Sequence, residues 1–135
     1  MNADVLMNMY KNDPRSFKIV DGITLSSPQH FHLKGLQGST SQFILAAVHS
    51  NEAASQVNHL VILRDAEEAA YFHNSLENIT GALDIFYFPS SFKNKKNYQL
   101  LNSSHVMLRT EALTKITQAK NLSQAKKIVV SYPEA

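Results

Sequence analysis

The sequence contains no cysteine, which excludes a disulfide framework and any zinc site built on thiolates. No apolar run approaches the roughly 20 residues that a membrane-spanning helix needs, and the N-terminus lacks a signal-peptide pattern. A strong excess of one charge is also missing, because the formal net charge is only +2 over 135 residues. Such a balance falls short of the concentrated cationic face of a dedicated nucleic-acid-binding protein. We therefore expect a cytoplasmic protein without a membrane segment.

Hydrophobic residues make up 44% of the chain and charged residues 18%, which is the balance of an ordinary globular domain. Segments in which apolar residues recur with the period of a strand alternate along the chain with segments that have the period of a helix. Strands are predicted over residues 29–34, 59–64, 83–88 and 128–132, with helices between them and two short helices before them. This order predicts an α/β fold with three layers, in which a parallel sheet is covered by helices on both faces.

Several local signals fix the predicted helix ends. Asp13 before Pro14 is typical of a helix start, and Gly22 is the expected stop of that helix. Asp65 is a second predicted cap, completed by Glu68 at the capping-box spacing, and Gly81 is the expected end of that helix. A helical N-terminal segment over residues 1–28 would therefore precede the main subdomain over residues 29–135.

Two apolar patterns predict burial. Residues 60–63 are all apolar, which is typical of a strand buried on both faces. A later helix over residues 104–118 places an apolar stripe on one side, which should face the core. The stripe consists of Leu108, Ala112, Leu113 and Ile116.

The run LKGLQGSTSQ over residues 33–42 lies where a strand should give way to a turn and a helix, the setting of a phosphate-binding P-loop. Gly35 takes the first glycine of the pattern G-x-x-x-x-G-K-[ST]. The second glycine is replaced by Thr40, the lysine by Ser41, and the hydroxyl residue by Gln42. The lysine that neutralises phosphate charge and the hydroxyl that ligates Mg²⁺ are therefore both absent.

An ordinary strand-to-helix turn explains the same loop without a ligand. Gly38 would then be its pivot and Ser39 the helix N-cap. A residual anion site remains an alternative, because backbone amides around Gly35, Gly38, Ser39, Thr40 and Ser41 could still face a phosphate at the helix N-terminus.

Two further groups of residues suggest binding sites. His30 and His32 would share one face of the predicted first strand, but no third ligand lies nearby in sequence, so a polar strand face is the simpler explanation. Lys93, Lys95 and Lys96 lie near Phe92 and Tyr98, a combination that can contact single-stranded nucleic acid. A solvated polar loop is the simpler explanation of these lysines. We assign no catalytic residue and no metal ligand.

Four segments together resemble the N-terminus of the bacterial transcription-repair coupling factors. They read LKGLQGS at residues 33–39, HLVILRDAEEAAYFHNSLE at 59–77, FPSSFK at 88–93 and VVSYPEA at 129–135. The resemblance covers about three quarters of the chain, and its most specific parts are DAEEAAY at residues 65–71 and the terminal YPEA.

The resemblance implies a specific biological setting. Members of this family are ATP-driven DNA translocases that release RNA polymerase stalled at a lesion and recruit the excision-repair protein UvrA. Their N-terminal third is similar to the helicase UvrB but has lost nucleotide binding, and the motor that uses ATP and Mg²⁺ lies downstream. This chain would be the first, degenerate RecA-like (P-loop NTPase-like) subdomain, a C-terminally truncated piece that needs no cofactor of its own.

Two departures from UvrB affect the expected function. The phosphate loop is lost, and the segment after Phe88 leaves little room for the aromatic hairpin with which UvrB threads DNA. Contacts to UvrA would lie mainly in the subdomain after Ala135, so no residue is assigned to them. The expected partners are the rest of the parent protein and, through it, UvrA, RNA polymerase and DNA. The three hypotheses are therefore a non-catalytic scaffold, a residual nucleotide- or anion-binding domain, and a direct nucleic-acid contact.

Overall fold

The computed structural model describes residues 2–81, 84–91, 102–118 and 126–135. It consists of five α-helices, one short 3₁₀ helix and three strands within those ranges, and no described helix is both long enough and apolar enough to span a bilayer. In chain order these are α1 (Ala3–Lys11), α2 (Pro14–Thr24), α3 (Thr40–Ser50), the 3₁₀ helix (Glu52–Ala54), β1 (His59–Ile62), α4 (Ala66–Thr80), β2 (Ile85–Tyr87), α5 (Ser103–Gln118) and β3 (Ile128–Ser131).

The chain divides into two compact units. The helical unit contains Met1–Val57 with Ser75–Leu83, and the sheet unit contains Asn58–Asn74 with Asp84–Ala135. The predicted division after residue 28 stays a prediction.

The sheet unit is built on a three-stranded parallel sheet in the order β1-β3-β2. Ile128 of β3 is aligned with His59 of β1 on one side and with Ile85 of β2 on the other. The parallel arrangement and the mixture of helices and strands confirm the α/β prediction.

One face of this sheet carries the core of the sheet unit. Ile128 and Val130 are fully buried there, and Ile85 is nearly so. The phenol of Tyr87, on the same face, donates a hydrogen bond of 3.2 Å to the Ala66 carbonyl at the start of α4. Because side chains alternate along a strand, Phe88 belongs to the opposite face, where the Arg109 guanidinium of α5 lies 4.0 Å from its ring centroid.

The helical unit packs α1 and α2 against α3. The rings of Tyr10 and Phe43 stack with their centroids 5.4 Å apart. Its core cluster contains Val20, Val48 and Ala54.

The predicted caps are present. The Asp13 carboxylate accepts a hydrogen bond of 2.8 Å from the Arg15 amide, and Pro14 occupies the first turn of α2. Asp65 accepts from the Glu68 amide at 2.9 Å, as the capping box requires. Gly81 follows α4 with φ of 83°, the left-handed conformation of a glycine stop.

The predicted first strand is wrong. Residues 29–34 are extended but belong to no strand, and all of them are exposed. Phe31 instead turns its ring onto the backbone of Gly22. Gly22 therefore does not end α2, which continues to Thr24, and its missing side chain makes room for the ring.

The predicted burial of two apolar groups is also wrong. Leu60 is 67% exposed and Ile62 is 62% exposed. Side chains of a strand point to the two faces of the sheet, so the described residues leave this face of β1 largely uncovered. On α5, Ala112 is fully buried as expected, but Leu113 and Ile116 are exposed.

Candidate functional site

The loop before α3 has the glycine conformations of a tight turn. Gly35 and Gly38 have φ values of 76° and 54°, which other residues adopt only with strain. Gly38 is therefore the pivot that the sequence predicts. Residues 2–34 contain no strand, so the strand–loop–helix frame of a P-loop is not present in this part of the chain.

The polar side chains of the loop bond to their own neighbours. Ser39 is the N-cap residue of α3, as predicted, although its side chain makes no capping hydrogen bond. Thr40 instead donates both its hydroxyl, at 2.6 Å, and its amide, at 3.2 Å, to the Gln37 carbonyl. The Ser41 hydroxyl donates to Gln42 Oε1 at 2.9 Å, and the Gln42 side chain is buried. The positions that would hold phosphate and Mg²⁺ in a P-loop are thus bonded to each other.

A cavity of about 520 Å³ opens beside this loop within the helical unit. Gly35 and Thr40 form one side of it, and residues of α1, α2 and the extended segment form the others. This is the volume of a small-molecule site. The cavity is therefore the candidate ligand site of the helical unit.

The charges around the cavity are mainly positive. Arg15 is held by Asp13, with Nη2 and Oδ2 2.6 Å apart, and the hydrogen bonds from Arg15 lower the pKa of Asp13 to about 2. This pair is neutral overall. Lys18 and Lys34 also line the cavity and form no salt bridge with the described residues, so they give it two unneutralised positive charges.

The other residues singled out in the sequence do not all line this cavity. His32 lines it, whereas His30 does not. No group of three or more potential metal ligands occurs in the described part of the chain. Lys93, Lys95 and Lys96 lie outside the described residues, so a nucleic-acid contact through them stays a prediction.

The sequence interpretation missed the contribution of the N-terminal helices. Tyr10, Lys18 and Ile19 line the cavity, although α1 and α2 carry no recognisable motif. A glycine inside an otherwise regular helix, at Gly22, was the one available signal, because such a glycine often marks a close approach of another segment.

Comparison with known proteins finds no family model, no curated protein and no solved structure that matches this chain.

Proposed function

We propose that this chain is a non-catalytic scaffold segment of a transcription-repair coupling factor. The parent protein would release RNA polymerase stalled at DNA lesions and recruit UvrA for nucleotide excision repair. The segment itself would be a degenerate RecA-like subdomain that supports the neighbouring UvrA-binding and motor domains. Hydrolysis of ATP would belong to the downstream motor of the parent.

One observation carries the scaffold proposal. Ser41, which stands in place of the P-loop lysine, has no positive charge and donates its hydroxyl to Gln42. Without a lysine at this position, the loop lacks the charge that would hold the β and γ phosphates. The parallel sheet and the resemblance of four sequence segments to the family supply the rest of the support.

A second candidate function is the binding of a small anion in the cavity beside the loop. It is favoured by the two unneutralised lysines, Lys18 and Lys34, and by the open turn at Gly35. In this alternative the loop keeps a residual affinity for phosphate groups without any catalysis.

One titration separates the two candidates. Fluorescently labelled ATP with Mg²⁺ is added to the whole chain, with UvrB as the positive control. The scaffold proposal expects no saturable binding up to about 1 mM. Micromolar binding that Lys18→Gln with Lys34→Gln abolishes, and that the matched variant Lys11→Gln preserves, would replace it with the anion-binding candidate. Micromolar binding that none of these variants changes would contradict both.

A further inference from the structure

The outer edge of β1 presents backbone groups that pair with no described strand. The amides of His59 and Leu63 donate to Lys127 and Ser131 of the β3 side, at 2.8 and 2.9 Å. Backbone groups of a strand alternate in direction, so both groups of Leu60 and both groups of Ile62 point away from β3. No described strand lies on that side of β1.

The side chains of this edge lack the usual protection against pairing. Natural edge strands carry a charge, a proline or a bulge that discourages another strand from adding. Residues 59–63 read HLVIL and contain no proline and no residue with a permanent charge. The two residues whose backbone is free, Leu60 and Ile62, are also the two whose side chains are most exposed.

An apolar groove continues from this edge across the sheet. It has a volume of about 390 Å³ and is bounded by Leu60 of β1, Val129 of β3, and Leu113 and Ile116 of α5. The groove and the exposed Leu60 and Ile62 side chains lie on the same face of the sheet. Leu60 is aligned with Val129, and side chains two residues apart on a strand point to the same face. A strand added beside β1 would extend this apolar face.

We propose that a second copy of this chain pairs with β1 through its own β1, antiparallel, to form a continuous six-stranded sheet. The two-fold axis passes between Val61 and the partner's Val61. Leu60 then forms a hydrogen-bonded pair with the partner's Ile62, and Ile62 with the partner's Leu60. All four exposed side chains fall on one face, where they shield each other from water.

The charges at the two ends of β1 favour this antiparallel arrangement. Lys126 lies near His59 at the start of β1. Burial is the main cause that lowers the pKa of His59, and the positive charge of Lys126 is the second. The other end carries Arg64 bonded to Asp65, with Glu67 and Glu68 following, which makes it acidic overall. Antiparallel pairing places the basic end of one copy beside the acidic end of the other, whereas parallel pairing would oppose like charges.

Sedimentation of the whole chain at several concentrations tests the association. The proposal expects a monomer–dimer equilibrium, and Ile62→Lys should raise its dissociation constant at least tenfold. Met107→Lys is the matched control, because Met107 is 73% exposed on α5 but lies outside the groove, and it should leave the constant within twofold. A wild-type chain that stays monomeric, or a dimer that Ile62→Lys does not weaken, would overturn the proposal.

Single cysteines test the register even if the lysine variant fails to fold. The chain has no cysteine of its own, and the Cα atoms of a non-hydrogen-bonded antiparallel pair lie about 4.5 Å apart, within reach of a disulfide. Val61→Cys should cross-link to a dimer under mild oxidation, whereas Leu60→Cys should not, because the two copies of residue 60 are displaced diagonally. Equal cross-linking of both variants, or of neither, would refute the proposed pairing.

Discussion

Phe31 lies with its ring against the backbone of Gly22, so closely that a β-carbon on Gly22 would overlap the Phe31 Cζ atom. This contact fixes the extended segment over residues 29–34 on α2. Gly22→Ala should therefore push the ring aside. Because the ring is partly exposed and alanine favours a helix over glycine, the net loss of stability should stay below about 1 kcal/mol. Urea unfolding measures the loss.

A double variant distinguishes this contact from a general effect on α2. Replacing the ring by Phe31→Leu in the Gly22→Ala background should recover part of the lost stability, since alanine by itself favours a helix over glycine by up to about 1 kcal/mol. If Gly22→Ala is equally destabilising with and without Phe31, the ring contact is not the cause.

Two isoleucines of the sheet should respond differently to the same substitution. Ile128 has no exposed surface, whereas Ile62 is largely exposed. Ile128→Ala should cost about 2–5 kcal/mol because it leaves a cavity in a packed core, and Ile62→Ala should cost less than about 0.5 kcal/mol at low protein concentration. Thermal unfolding of both variants provides the comparison, and similar losses would contradict the exposed position of the Ile62 side chain.

The ion pair of Asp13 and Arg15 should make the helical unit sensitive to acid. The pKa of Asp13 is lowered from 3.8 to about 2 in the folded chain, so its contribution to stability is present above pH 3.8 and is lost as pH falls through about 2. Asp13→Asn keeps a capping side chain but has no charge to lose. The stability advantage of the wild-type chain over this variant in urea unfolding should therefore shrink as pH falls through about 2. An Asp13 resonance that still titrates near 2 in Arg15→Gln would show that Arg15 is not the source of the shift.

His59 should make the sheet unit less stable at mildly acidic pH. Burial, and then the charge of Lys126, lower the pKa of His59 below 6.5, so the unfolded chain binds a proton that the folded chain resists. Stability is therefore full above pH 6.5 and declines as pH falls towards the folded pKa. His59→Gln should flatten this decline in urea unfolding between about pH 7 and 5. An unchanged slope in the variant would assign the decline to another of the six histidines.

Local interactions made much of this fold predictable. The helix ends at Asp13, Asp65 and Gly81 depend on hydrogen bonds within four residues, and those spacings are visible in the sequence. The strand prediction for residues 29–34 failed because a strand needs a partner strand as well as alternating side chains. The exposure of Leu60 depends on whether another element covers its face of β1, which the periodicity of one strand does not show.

The candidate site was predictable only in part. The glycine turn at Gly38 and the missing P-loop lysine follow from sequence alone. The cavity beside that turn arises where α2, the extended segment and α3 meet, and no single stretch of the chain encodes such a meeting. Lys18 and Lys34 had no distinguishing neighbours in sequence, so their shared position could not be foreseen.

The central place of β3 has a consequence for how the chain acquires its structure. Among the described strands, β1 and β2 do not pair with each other; each pairs with β3, which follows both of them in the chain. Asn58 and Lys127, which close one end of the β1–β3 pair, are 69 residues apart. Contacts over such distances slow folding. Helices can therefore form on the ribosome early, whereas the sheet must wait until β3 has left the exit tunnel.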